Sequence, residues 1–204
     1  SQSSQLDSHY NEIKQIDNLL ADTTSGLTPA LHNFFNAVQD VASNPASISS
    51  RQAMLSNAEA LTARFQQMDQ RLSEMREGVN SQITGSVTEI NSLAQQIAGL
   101  NMNIQAVESS ANGQPANDLL DQRDALVRDL SRIINVDVVR QNNGHYNVFI
   151  GNGQSLVVGS SAMTLKAVPS SSDPQRLVVA MDQQGGEIVL PEHQLQGGSL
   201  GGLL

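Results

Sequence analysis

Apolar residues recur every three or four positions up to about residue 134 and every second position after it. The first spacing is that of helices with one buried face, the second that of strands with alternating faces. Leu6, Tyr10, Ile13, Ile16-Asp17 and Leu20 form one stripe of a first helix. Thr28-Pro29 supplies a cap and a first-turn proline for a second. Its apolar face is Leu31, Phe34, Phe35, Val38 and Val41, and Asn44-Pro45 ends it. The two Phe residues read as a core anchor rather than a ligand box.

A third segment, from about Ser47 to Ser109, carries an apolar stripe from Met54 to Val107. From Phe65 to Val79 its steps alternate three and four, as in a coiled-coil seam. Between Val79 and Val87 the count is eight rather than seven, and Gly78 and Gly85 flank the slip. Each glycine costs about 1 kcal/mol against alanine, so a bend or weak point is expected there. Unbroken, the helix would be roughly 90 Å long, against a radius of gyration of about 17 Å for a compact chain of this size. With no proline or glycine pair in the run, an elongated molecule is expected rather than a helix folded back near Gly78–Gly85. After Asn112-Gly113-Gln114-Pro115, a fourth helix carries Leu119, Leu120, Leu126, Val127, Leu130, Ile133 and Ile134. Its charged side reads Asp118, Asp121, Arg123, Asp124, Arg128, Asp129 and Arg132, with Asp124 and Arg128 as an i,i+4 pair.

Past Asn135, Val136-Asp137-Val138 and Tyr146 to Ile150 flank Asn142-Asn143-Gly144, a strong hairpin signal. Leu156 to Val158, Met163 to Val168, Leu177 to Ala180 and Glu187 to Leu190 continue the alternation. The expected fold is α+β: an elongated helical bundle built on one long helix, then a small antiparallel β meander of five or six strands. The expected domains are 1–135, helical, and 136–204, antiparallel β with a Gly-rich C-terminal segment.

Composition narrows the function. Twenty acidic and 11 basic side chains give a net charge of −9. That argues against a nucleic-acid footprint, which needs clustered Lys and Arg, and against adhesion to anionic lipid. The chain has no Cys, which removes disulfides and thiolate metal sites. Aromatic residues make up 3%, little for the walls of a small-molecule pocket. Ser, Asn and Gln number 24, 17 and 21, so the surface is polar mainly without charge. No run of about 18 apolar residues is present. Ser1-Gln2-Ser3-Ser4 has neither Met nor an apolar signal region, and the chain stops at Gly202-Leu203-Leu204. A segment from inside a longer gene product is the expectation.

Candidate chemistry is sparse. His9, His32, His145 and His193 include no pair at metal-ligand spacing. Asp118, Asp121 and Asp124 stand three apart beside Arg123, Arg128 and Arg132, the pattern of an ion-paired helix face. Gly151-Asn152-Gly153 reads as a turn, because Leu156 stands where a dinucleotide fingerprint needs its third glycine. Neither a Gly-x-Ser-x-Gly elbow nor a Walker motif occurs. Arg51, Arg64, Arg71 and Arg76 are spread between acids along the long helix, as on a solvated face.

Four stretches carry a family resemblance. They are Phe34-Phe35-Asn36-Ala37-Val38-Gln39-Asp40-Val41-Ala42-Ser43-Asn44-Pro45 with Arg51, Ile90 to Asn101, Asn117-Asp118-Leu119-Leu120-Asp121-Gln122-Arg123-Asp124, and Gly153 to Gly159. Together they resemble the hook-associated protein 1 family of bacterial flagellar hook–filament junction proteins. The resemblance implies a structural subunit, exported through the flagellar channel and extracellular, that joins hook to filament. Its partners would be hook protein and a neighbouring hook-associated protein, with ring self-association in the full-length protein. No catalytic residue, cofactor or metal is implied. Family members have helical termini that pack into the inner tube. Both are missing here, so the chain is similar to the outer middle portion only and is expected to be a monomer by itself.

Asn117, Asp121, Arg123 and Asp124 stand where a Gly/Pro turn meets a helix packed on the long rod. They are expected to cap and pin that junction, bonding backbone groups at the turn; a subunit contact is the alternative role. Two other classes remain open. A coiled-coil signalling or scaffold protein would not need the meander and would form a stable dimer. A secreted hydrolase using Asp118, Asp121 and Asp124, or Glu192 with His193, would need a cleft.

Overall fold

The computed structural model describes residues 2–20, 26–110, 116–141, 144–151, 153–183 and 185–204, the side chains of residues 15 and 18–20 excepted. The expected turn at Asn112-Gly113-Gln114-Pro115, the Asn142-Asn143 pair and Asn152 lie outside the described residues, as does the side chain of Leu20.

Among the described residues four helices come first: α1 (Gln2–Leu20), α2 (Leu27–Ser43), α3 (Ile48–Ser110) and α4 (Asn117–Ile133). Asn44 donates its N–H to Asp40 O at the end of α2, and Pro45 cannot extend the helix. Ser47 then caps α3, its Oγ accepting from Ser50 N–H at 3.2 Å. α3 runs for 63 residues without interruption through Gly78 and Gly85, so the helix does not fold back. Two isolated glycines weaken a helix by propensity alone, and an intact hydrogen-bond ladder on both sides carries it through.

Among the described residues seven strands follow, in two antiparallel sheets rather than one meander. β1 (Val136–Arg140), β2 (Tyr146–Ile150), β3 (Gln154–Val158) and β4 (Ser161–Ala162) form the first in chain order. β5 (Leu165–Pro169), β6 (Leu177–Gln183) and β7 (Gly186–Val189) form the second. The break falls inside the expected strand Met163 to Val168. Met163 N–H donates to Leu156 O of the first sheet at 2.8 Å. The next residue, Thr164, accepts through its carbonyl from Asp182 N–H of the second at 2.9 Å. The chain thus changes partner between two adjacent residues. The hairpin at Gly144 forms as expected, with φ of +81° there and Gly144 N–H donating to Gln141 O at 3.0 Å.

The Gly-rich end of the chain makes a 3₁₀ turn (Glu192–Gln194) and a short helix, α5 (Gly198–Leu203). A Cβ at Gly198, where φ is +73°, would collide with the Ile133 carbonyl, and one at Gly202 with the Gln5 carbonyl. These glycines let α5 approach the backbones of α4 and α1 directly.

The chain forms two compact units, Ser1–Tyr10 with Val79–Leu204, and Asn11–Gly78. This cut by packing differs from the change of element type near Asn135. The first unit holds the core: Ile83, Ile90 and Ile97 of α3, Leu130 of α4, Val148 and Leu156 of the first sheet, and Leu165 and Met181 of the second. Here α1 presents Ser4, Gln5 and Ser8 half-buried, while Leu6 and Tyr10 of its expected apolar stripe are exposed. Its anchorage is polar: Gln5 Nε2 donates to Gly201 O at 3.2 Å, and Gln5 Oε1 accepts from Gly197 N–H at 3.0 Å.

In the second unit, Ala37 is the one buried apolar side chain among the described residues. Phe34 and Phe35 therefore do not form the expected core anchor. Phe35 is 63% exposed and meets Phe34 edge to face at 5.6 Å. Ile13 and Ile16 of α1 and Leu55 and Phe65 of α3 are exposed as well.

Candidate functional site

Arg123 is the most deeply placed charged group among the described residues, with no exposed surface. It belongs to a buried step of the α4 stripe, seven residues before Leu130, and not to the charged face assigned to it from the sequence. Its Nη1 donates to Asn101 Oδ1 at 2.8 Å and to Gly144 O at 2.9 Å. Its guanidinium carbon lies 3.6 Å from the centre of the Tyr146 ring. Among the described residues, Nε and Nη2 have no hydrogen-bond acceptor, and the aromatic face is what meets the cation. Burial lowers the Arg123 pKa, while Tyr146 and Asp124 act in the opposite direction.

Asn101 joins three elements. Besides Arg123 of α4, its Oδ1 accepts from Tyr146 N–H at 3.1 Å. Its Nδ2 donates to Tyr146 O at 2.9 Å and to Gly159 O at 2.6 Å. Beside it, buried His145 bonds through Nε2 to Gln105 Oε1 at 3.0 Å. α3, α4 and the first sheet thus meet at one buried polar node. Its acceptors around the arginine are neutral, and it holds no nucleophile activated by a base. The arrangement can fix geometry.

The other three expected junction residues are not at this node. Asn117 and Asp121 are exposed and Asp124 is half-buried. Ala116 is the N-cap of α4, and among the described residues no side chain makes a cap hydrogen bond there; the turn whose backbone these residues were expected to bond lies outside the described residues. Asn117 is already inside the helix, past the position from which a side chain can cap. Asp124 does not pair with Arg128; the ion pair on this face is Arg132–Asp129 at 2.9 Å.

The sites required by the hydrolase reading fare no better. A groove of about 460 Å³ between α3 and α4, lined by Gln96, Gly99, Leu100, Asn103, Gln122, Ala125 and Leu126, contains no ionisable side chain. Glu192 and His193 line another, but the Glu192 carboxylate is ion-paired with Arg176. Among the described residues, no helix is long and apolar enough to cross a membrane.

Sequence reasoning missed Asn101, although a signal was present. Ile83, Val87, Ile90, Ala94, Ile97, Asn101 and Ile104 step by four and three in strict alternation, which puts Asn101 on the buried seam. Leu100 beside it is half-buried. Asn80 and Asn91, which bond the second sheet, were missed as well.

Comparison with known proteins agrees with this architecture. The family model described as flagellar hook-associated protein FlgK helical domain matches residues 13–204. Flagellar hook-associated protein 1 of Salmonella typhimurium is 46% identical over all 204 residues, and that of Escherichia coli K12 is 43% identical. The chain spans 37% of the length of these curated relatives. The solved structure of the flagellar hook junction protein FlgK from Burkholderia pseudomallei superposes with a TM-score of 0.91 at 41% identity, covering 99% of this chain and 36% of that one. With its helices, its two sheets and nearly its whole length matched, the chain belongs to the flagellar hook-associated protein FlgK helical domain family.

Proposed function

We propose that the protein is a structural subunit of the bacterial flagellum, joining hook to filament, and that it performs no catalysis. The carrying observation is 46% identity across every residue of the chain with a protein named flagellar hook-associated protein 1. The proposed location is extracellular, after export. The proposed partners are hook protein on one side and a neighbouring hook-associated protein on the other, with copies of the protein itself around a ring. By itself the 204-residue chain is proposed to be a monomer. The alternative, a coiled-coil scaffold, loses ground because the α3 seam is occupied from Ile83 to Ile97 by the protein's own sheets and α4.

Arg123 is proposed as the pin of the helix–sheet junction. Asp124 supports it by charge. Asn117 and Asp121, exposed at the start of α4, act on the first turns or on a neighbouring subunit.

Deletion of the gene tests the assignment. Cells should make hooks but fail to retain filaments, and a plasmid copy should restore them. Normal filaments on the deletion strain would overturn it. Analytical ultracentrifugation of the 204-residue chain tests the oligomeric state. A dimer that persists at low micromolar concentration and raised salt would return weight to the scaffold reading.

A further inference from the structure

α3 bonds both sheets through three asparagine side chains. Asn80 Nδ2 donates to Gln175 O at 2.8 Å, and its Oδ1 accepts from Leu177 N–H at 3.0 Å. Asn91 Nδ2 donates to Leu165 O and its Oδ1 accepts from Leu165 N–H, both at 2.8 Å. Asn101 treats Tyr146 in the same way, at 2.9 and 3.1 Å. Leu177, Leu165 and Tyr146 are the first residues of β6, β5 and β2. Each amide occupies the place of a neighbouring strand's peptide group. The intervals of eleven and ten residues are close to three helical turns, so the three side chains project from one side of α3.

We infer that Asn80, Asn91 and Asn101 are register keys, which set where along α3 the two sheets sit. The apolar core cannot do this by itself. Hydrophobic attraction is non-directional and follows the area buried. A sheet displaced by one turn along a stripe of Ile, Val and Ala would bury a similar area. A side-chain amide bonded to both an N–H and a C=O at the start of one strand has one geometry. Displacement by one turn, about 5.4 Å, breaks both bonds and strands four polar groups, of which those left in the interior carry the full cost of desolvation. The keys explain why buried or half-buried asparagines interrupt an apolar face. The inference concerns assembly of the fold and stands apart from the proposed flagellar role.

The chain has no Cys, so labels can be placed at will. Spin labels on cysteines at exposed Gln95 and Ser172 report the distance between α3 and the β5–β6 connection. The labelled parent should give one narrow distance distribution. Asn80→Ala with Asn91→Ala should broaden it or add a population displaced by about 5 Å. The control is a core variant, Val179→Ala, compared at a temperature equally far below its own melting point. It should keep the parent distribution. If the double variant does not fold, Asn91→Ala alone is read in the same way. Its Leu165 N–H should also exchange roughly tenfold faster, while amides inside the β5–β6 ladder keep their rates. Asparagine variants that match the core control in distance distribution overturn the inference. So does exchange that rises uniformly across both sheets.

Discussion

The Arg123 guanidinium lies 3.6 Å above the Tyr146 ring, so a fully buried charge is held by an aromatic face and two neutral oxygens instead of a carboxylate. Such a charge pays for its loss of water only through good geometry. The planar fork reaches Asn101 of α3 and Gly144 of the β1–β2 turn from one nitrogen while its face stays on the ring. A lysine has the charge without the plane.

Arg123→Lys should therefore destabilise the protein by about 1–3 kcal/mol, and Arg123→Ala, which also leaves a cavity, by about 2–5 kcal/mol. Thermal melting checks both. A lysine variant that melts with the parent would show that charge alone suffices. In a double-mutant cycle, Arg123→Ala and Asn101→Ala should couple by more than about 0.5 kcal/mol, because the two side chains touch.

Glycine tolerance should split by position. Gly78 and Gly85 lie inside α3 with nothing within 4 Å of an added Cβ. Alanine at either should raise stability by about 0.5–1 kcal/mol. Gly198→Ala should destabilise strongly, because its backbone is left-handed and its Cβ would meet the Ile133 carbonyl. Circular-dichroism melts of the three variants decide this, and a gain at Gly198 would contradict the close seating of α5.

Lys166 bridges the two edges of the second sheet, its Nζ 2.8 Å from Glu187 and 3.1 Å from Asp182. The bond to Glu187 first, and that to Asp182 next, raise its pKa. A cation whose folded pKa is raised adds stability that is present below the unfolded value, about 10.4, and lost as pH climbs through the folded one. Lys166→Gln should lower the melting temperature slightly at neutral pH in dilute buffer. In roughly 1 M salt, where screening acts within about 3 Å, parent and variant should melt together. A difference that survives salt would mean the lysine acts by packing.

Element boundaries were legible because their signals are local. Asn44-Pro45 and Ser47 act on their own turns, and α2 ends at Ser43 and α3 begins at Ile48. Thr28 is not the expected cap: Gly26 is the N-cap of α2, and Thr28 and Pro29 lie in its first turn. β2 falls on the expected Tyr146 to Ile150. The split into two sheets was not legible. Met163 and Thr164 continue the alternation of their neighbours, and only the positions of Leu156 and Asp182 decide which sheet each joins. Arg123 was misplaced for a related reason. Charged residues are almost always outside, and the partners that admit this one lie on α3 and on the β1–β2 hairpin. Helical spacing also marks a face without saying what covers it, as Phe35 and Leu6 show.

That last gap gives a direct comparison within one helix. Ile90 and Leu55 both belong to the apolar stripe of α3, yet Ile90 has no exposed surface and Leu55 is 60% exposed. Ile90 packs in a core shared with α4 and both sheets. Ile90→Ala removes buried methyl groups and leaves a cavity, which should cost about 2–5 kcal/mol. Leu55→Ala removes surface that water already reaches, and alanine is at least as good a helix former. Its effect should stay within about 0.5 kcal/mol. Urea unfolding of the two variants under the same conditions tests the contrast. Equal losses would mean that Leu55 is covered in solution.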